Sequence, residues 1–180
     1  MRTVFLMIAR ILYDKGYQEY VDAARIIHRE CQDVEFWLLG KIDEEYPNHV
    51  PAEVINRDHK EGIIRYLGFS SDVKSIEAQA DCIVHPTFYN EGMSRVLMEA
   101  MAMRKPIITT DIPGCKETVE EGRNGYIVPP RDVEALVNAI RKFLRLSQDE
   151  RKLMGEYGRM KAEREFDVNN VIAVYRRITG

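Results

Sequence analysis

The sequence is poor in features that would declare a redox framework, a membrane anchor or a metal site. Its three cysteines, Cys31, Cys82 and Cys115, are widely spaced and odd in number, and no C-x-x-C occurs. That argues against a disulfide scaffold or a thiolate zinc site and for reduced thiols in a cytosolic protein. No apolar run approaches the ~18–20 residues needed to cross a bilayer. The apolar opening over residues 1–9 lacks a basic n-region and a small-residue cleavage site, and it reads as a buried strand rather than a signal peptide. Lysine and arginine total 26 against 29 acids, a net charge of −3 with no block of one sign, so nothing in the charge calls for nucleic acid. There is no D-x-D and no His/Cys cluster at ligand spacing. Asp43-Glu44-Glu45 reads as a solvated turn, and no metal is expected. After the first strand, Ala9-Arg10-Ile11-Leu12-Tyr13-Asp14-Lys15-Gly16 stands where G-x-G-x-x-G would mark a nicotinamide or flavin site, so that class is disfavoured.

What is present is an alternation of strand and helix patterns. Apolar runs at residues 3–9, 34–40, 63–67, 81–86, 105–110 and 125–128 read as strands. Between and after them, helices are expected at 17–31, 52–60, 71–80, 94–103, 116–121, 132–146, 149–165 and 167–178. Strands that are apolar almost throughout, separated by helices, imply a parallel sheet covered on both faces. The fold class is therefore doubly wound, Rossmann-like α/β with about six strands, and residues 1–180 are expected to form a single domain.

In such sheets ligands bind beyond the carboxyl ends of the strands. One of those loops carries Glu91-Gly92-Met93-Ser94-Arg95-Val96-Leu97-Met98-Glu99, two glutamates eight positions apart. A helix starting near Ser94 climbs only ~7–8 Å by Glu99, and its open amino end favours an anion such as a diphosphate. Two carboxylates flanking a phosphate cradle suit a ligand with hydroxyls at both ends and phosphates between, as in a nucleotide sugar. Glu99 sits in an apolar helix, where a charge is expected to need a partner or a ligand. Arg10 and Lys15 supply two cations on the loop after the first strand, able to neutralise a diphosphate. Taken alone they read as ordinary surface cations; beside the cradle they favour phosphate binding. His85 is either a cleft residue or a satisfied core histidine, and Cys115 has no matched His–Asp pair and reads as an inert thiol.

These residues resemble the donor-binding region of the family 4, or group 1, retaining glycosyltransferases of GT-B fold. The resemblance rests on Glu91-x7-Glu99, Glu99-Ala100-Met101-Ala102, Lys105-Pro106-Ile107-Ile108-Thr109-Thr110, Pro113-Gly114-Cys115-Lys116-Glu117 and Asn124-Gly125-Tyr126-Ile127-Val128. It also rests on Arg10 with Lys15-Gly16, and on Tyr66-Leu67-Gly68. It implies that Glu99 holds the ribose hydroxyls and Glu91 the donor sugar, and that Arg10 and Lys15 contact the diphosphate. It further implies that the backbone of Gly92-Met93-Ser94-Arg95 completes the phosphate site and that Tyr66-Leu67 borders the base. The implied substrate is a UDP- or GDP-linked sugar, with no separate cofactor and no metal. The implied acceptor is a glycan or lipid-linked glycan of polysaccharide biosynthesis, and the implied location is the cytoplasm, at the inner membrane face for the full-length protein. Family members carry Gly-Phe-Pro or Gly-Leu-Pro after the first glutamate where this chain has Gly92-Met93-Ser94. The chain is expected to be the carboxyl-terminal half of such an enzyme, without its acceptor lobe and nearly inactive alone. The alternatives are a non-catalytic nucleotide-binding domain or a GT-B relative such as a sugar epimerase; a phosphorylase would need a cofactor lysine that the sequence does not clearly show.

Overall fold

A computed structural model describes residues 1–90 and 92–166; Glu91 and the helix expected at 167–178 lie outside the described residues. Six strands form one sheet: β1 (Thr3–Ile8), β2 (Val34–Leu39), β3 (Arg65–Tyr66), β4 (Cys82–His85), β5 (Ile107–Thr110) and β6 (Gly125–Val128). Their spatial order is β3-β2-β1-β4-β5-β6, and every pairing is parallel. The helices are α1 (Tyr17–Glu30), α2 (Ala52–Lys60), α3 (Val73–Ala78), α4 (Arg95–Ala102), α5 (Val133–Arg145) and α6 (Gln148–Glu165).

The period-two alternation of β1 sends side chains to two cores. Phe5 and Met7 join Phe36, Leu38 and Val84 beneath α1, α2 and α5, while Val4 and Leu6 join Leu39, Ile83 and Ile107 beneath α4. Phe5, Leu6 and Met7 are all fully buried. Burial on both faces is what makes the strands near-continuously apolar. Burying each such side chain contributes ~1.5–3 kcal/mol. Tyr20 is also fully buried, and its hydroxyl donates to the carbonyls of Phe5 and Trp37 at 3.1 and 2.9 Å.

Several expected boundaries shift for local reasons. β3 is an edge strand that pairs only at Arg65 and Tyr66, so it is shorter than its apolar run. The segment at 116–121 holds only a 3-10 turn, Lys116–Thr118, because Glu121 and Gly125 form a parallel bridge around Gly122. A second 3-10 turn, Tyr13–Lys15, occupies the loop after β1. α6 starts at Gln148 behind a reciprocal cap in which Ser147 Oγ accepts from the Glu150 amide and Glu150 accepts from the Ser147 amide, satisfying two orphan donors at once. No helix among the described residues is long and apolar enough to cross a membrane.

Candidate functional site

The order of the strands decides where the loops meet. The chain moves outward from β1 through β2 to β3, then returns to place β4 on the other side of β1. Connections leave β1 and β4 in opposite directions, so a crevice opens beyond their carboxyl ends. The loops after β1 and β4 are tied to one another across it. The amides of Phe88 and Tyr89 donate to the Asp14 carbonyl at 2.9 and 3.0 Å. Gly16 stands at φ +88°, where a Cβ would meet the Pro86 carbonyl oxygen at 2.2 Å. Only glycine combines that backbone conformation with so close an approach.

The crevice is a cleft of about 290 Å³ lined by Ile8, Ala9, Arg10, Lys15, His85, Met93, Ser94, Arg95 and Val96. Five of the expected phosphate-site residues, Arg10, Lys15, Met93, Ser94 and Arg95, thus share one concavity. Lys15 is buried in its 3-10 turn at 6 % exposure, with its ammonium 4.4 Å from the centroid of the Tyr89 ring. Arg10 is exposed, 3.7 Å from Asp43 and 5.2 Å from the centroid of Tyr46. The loop after β2 therefore braces Arg10, and the loop after β4 braces Lys15. This aromatic support has no signature in the sequence, because Tyr46 and Tyr89 lie 43 positions apart.

The opposite wall is the amino end of α4. Ser94 is its N-cap, with Oγ accepting from the Leu97 amide at 3.4 Å. The Ser94 amide donates to the Gly114 carbonyl at 2.9 Å. Among the described residues the first-turn amides of Arg95 and Val96 bind no backbone carbonyl, and with the helix dipole they form an anion-favouring end. Gly92 is exposed, with open space where a Cβ would stand, so no steric demand for glycine arises there.

Glu99 is placed differently from expectation. The helical period sends Leu97, Ala100 and Met101 into the core and leaves Glu99 exposed. Its charge therefore does not need a partner to be tolerated, and the desolvation argument for it fails. It lies one turn beyond Arg95 and Val96, on the rim of a second hollow of about 420 Å³ between α3 and α4. That hollow is also lined by Ser71, Asp72, Val73, Lys74, Glu77, Ala102 and Met103. Glu77 is a residue that sequence reasoning missed. It is 2 % exposed, and burial first, then the Glu99 charge, raise its pKa to about 7, opposed by Lys105.

Tyr66 and Leu67 lie at the carboxyl end of β3 and do not line the cleft with Arg10 and Lys15. The Tyr66 hydroxyl donates to the Gly40 carbonyl at 3.0 Å, and burial raises its pKa. Leu67 packs against the core beneath α4. His85 combines its two expected readings: it is 3 % exposed at the end of β4, yet it lines the cleft. Cys115 is fully buried. A wider hollow of about 530 Å³ near Arg2, Glu35 and Arg65 opens at the amino-terminal edge of the sheet. There Glu35 accepts from Arg2 at 2.7 Å and stands 3.9 Å from Arg65; the edge is the wrong one for ligands of this architecture.

Comparison with known proteins agrees with the fold. The family model described as "Glycosyl transferases group 1" matches residues 2–146. The capsular polysaccharide biosynthesis glycosyltransferase CapM of Staphylococcus aureus is 28% identical over 162 residues, which is 88% of this chain and 41% of CapM. The structure of Anabaena Alr3699/HepE in complex with UDP superposes with a TM-score of 0.86 at 22% identity, over 99% of this chain and 49% of that one. The C-terminal domain of the glycosyl transferase group 1 family protein LpcC from Francisella tularensis superposes with a TM-score of 0.78 at 19% identity, over 92% of this chain and 87% of that one. The chain thus spans less than half the length of CapM, the curated relative above. With a parallel sheet, a switch-point cleft and a family match over most of its length, the chain belongs to the group 1 glycosyltransferases.

Proposed function

We propose that this chain is the donor-binding lobe of a retaining, metal-independent hexosyltransferase. Its substrate is a nucleotide-diphosphate sugar, UDP- or GDP-linked, and its acceptor is a glycan or lipid-linked glycan of polysaccharide biosynthesis. The acceptor lobe belongs to another part of the polypeptide, and transfer occurs at the cytoplasmic face of a membrane. The carrying observation is the convergence of Arg10, Lys15 and the amino end of α4 on one cleft at the switch point.

The chemistry follows from charge. Breaking the bond between sugar and diphosphate leaves negative charge on the departing phosphate. The buried Lys15, the Arg10 fork and the α4 amides surround the place where it develops, fixed before the reaction starts. Arg10 can grip two phosphate oxygens, while Lys15 acts as a point charge. Glu99, one turn along α4, accepts from the ribose hydroxyls. Glu91 is assigned to the sugar hydroxyls from the resemblance to the group 1 family. Without the acceptor lobe water is not excluded from the cleft, so the isolated lobe binds nucleotide and transfers little.

Titration of UDP and GDP into the isotopically labelled chain tests the site. Amide signals of Arg10, Lys15 and residues 94–99 are expected to move. Shifts confined to the amino-terminal edge of the sheet would overturn the assignment. In the full-length protein, Glu91→Ala is expected to reduce transfer while sparing affinity for bare nucleotide.

A further inference from the structure

The hollow beside α4 contains a buried carboxyl that the proposed chemistry does not use. Glu77 lies on α3 at 2 % exposure, and among the described residues its Oε1 has no hydrogen-bond partner. It lines the same hollow as Glu99. The cation acting on it, Lys105, is committed elsewhere: its ammonium donates to the carbonyls of Ala78 and Ala80 at 2.8 and 2.7 Å. The other charged groups on the hollow are Asp72 and Lys74, on and beside α3 itself, and Glu99 on α4; Asp81 acts on Lys105. A buried carboxylate with an unpartnered oxygen, sharing a hollow with a second carboxylate, is unfavourable, and such a pair relaxes by one member keeping its proton.

We propose that Glu77 is a positioning residue for Glu99: as a neutral carboxyl it donates its proton to the Glu99 carboxylate and holds that side chain against the ribose diol of the nucleotide. The inference rests on the nucleotide site proposed above. Glu99 is exposed and gains nothing from packing, so an acid donor beneath it removes rotamer freedom that ribose binding would otherwise have to quench. When Glu77 loses its proton the donor is gone and two like charges share the hollow. The donor site then binds nucleotide less well as pH rises through neutrality, where Glu77 titrates (about 7).

The test is calorimetric titration of UDP and of GDP into the chain at pH 6 and pH 8, for the wild type, Glu77→Gln and Glu99→Gln. Glutamine keeps the shape of a protonated glutamate and a donor that does not titrate. If binding requires protonated Glu77, the competent fraction falls about tenfold between pH 6 and pH 8. The ratio of wild-type to Glu77→Gln affinity is expected to fall by that factor; ionisation of the nucleotide's own phosphate is common to both and cancels. In Glu99→Gln the pH dependence assigned to Glu77 is expected to vanish, because the amide presents no charge to repel. Carboxyl-carbon NMR supplies a second reading without ligand: the Glu77 midpoint lies near neutrality in the wild type and moves down in Glu99→Gln. A wild-type to Glu77→Gln ratio that is flat across pH overturns this inference and leaves the nucleotide site standing. If Glu77→Gln does not fold, an unmoved Glu77 midpoint in Glu99→Gln overturns it instead. Absence of UDP and GDP binding at either pH overturns both readings together.

Discussion

Gly16 offers the sharpest test of how the fold holds the site. It closes the 3-10 turn that buries Lys15 and opens α1, at φ +88° and ψ +23°. An alanine there would pay for a left-handed conformation, ~1–2 kcal/mol. Its Cβ would also fall 2.2 Å from the Pro86 oxygen and 2.6 Å from the Pro86 carbonyl carbon. Those are backbone atoms and cannot swing away as a side-chain end could. Overpacking of this kind adds ~1–3 kcal/mol. The sum for Gly16→Ala is about 2–5 kcal/mol, and a mid-range loss of ~3 kcal/mol lowers the melting temperature by ~6–12 °C in a chain of this size. The clash lies where the two cleft loops meet, so relief of it separates Lys15 from Tyr89 and widens the cleft. Denaturant unfolding combined with UDP or GDP titration checks both effects, with affinity expected to fall about tenfold or more for a displaced phosphate contact. A Gly16→Ala protein within ~0.5 kcal/mol of wild type, with unchanged affinity, would refute the view that this contact sets the cleft.

Other substitutions separate binding from stability. Glu99→Ala is expected to weaken nucleotide affinity by ~1.5 kcal/mol, about tenfold, through lost charge-assisted hydrogen bonds. Since Glu99 is exposed, denaturant midpoints should barely move; a large stability loss would contradict its placement. Arg10→Ala, whose ion pair with Asp43 is solvent-accessible, should change stability by less than ~1 kcal/mol. It should weaken UDP binding but not uridine binding, a contrast readable by calorimetry. Ser94→Ala removes the α4 cap and is expected to cost ~1 kcal/mol in denaturant unfolding. The Glu77 carboxyl gives a pH-dependent stability of defined sign. Its folded pKa is raised to about 7, so between its unfolded value and 7 the native state binds more protons than the unfolded state, and stability falls as pH rises. Over that window the loss approaches ~3 kcal/mol. Glu77→Gln is therefore expected to gain stability over wild type at pH 8 and little at pH 4.5, in urea titrations at the two values.

The architecture was legible because its signals are local and repeated. Near-continuous apolar strands separated by amphipathic helices leave few alternatives to a parallel sheet with both faces covered. The glutamate spacing is likewise a short-range pattern. The misjudgements came where burial depended on helix phase. Glu99 in α4 looked buried from its apolar neighbours and is exposed, while Glu77 in α3, which no sequence pattern singles out, is buried. A rotation of one residue, about 100°, separates the two outcomes, and helix boundaries read from sequence are uncertain by more than that.

Period and order along the chain specify the sheet class, the loops eligible to hold a ligand, and two cations and two carboxylates on those loops and the helix that follows β4. Which of these meet depends on the packing of the fold. The return from β3 to β4 across β1 opened the crevice. Backbone contact between Gly16 and Pro86 set its width, and tyrosines from two distant loops braced its cations. Helix packing placed Glu77 beside Glu99 on one hollow. Each of these is a contact between segments far apart in sequence, made by whichever faces the packed core leaves free, and no local pattern encodes it.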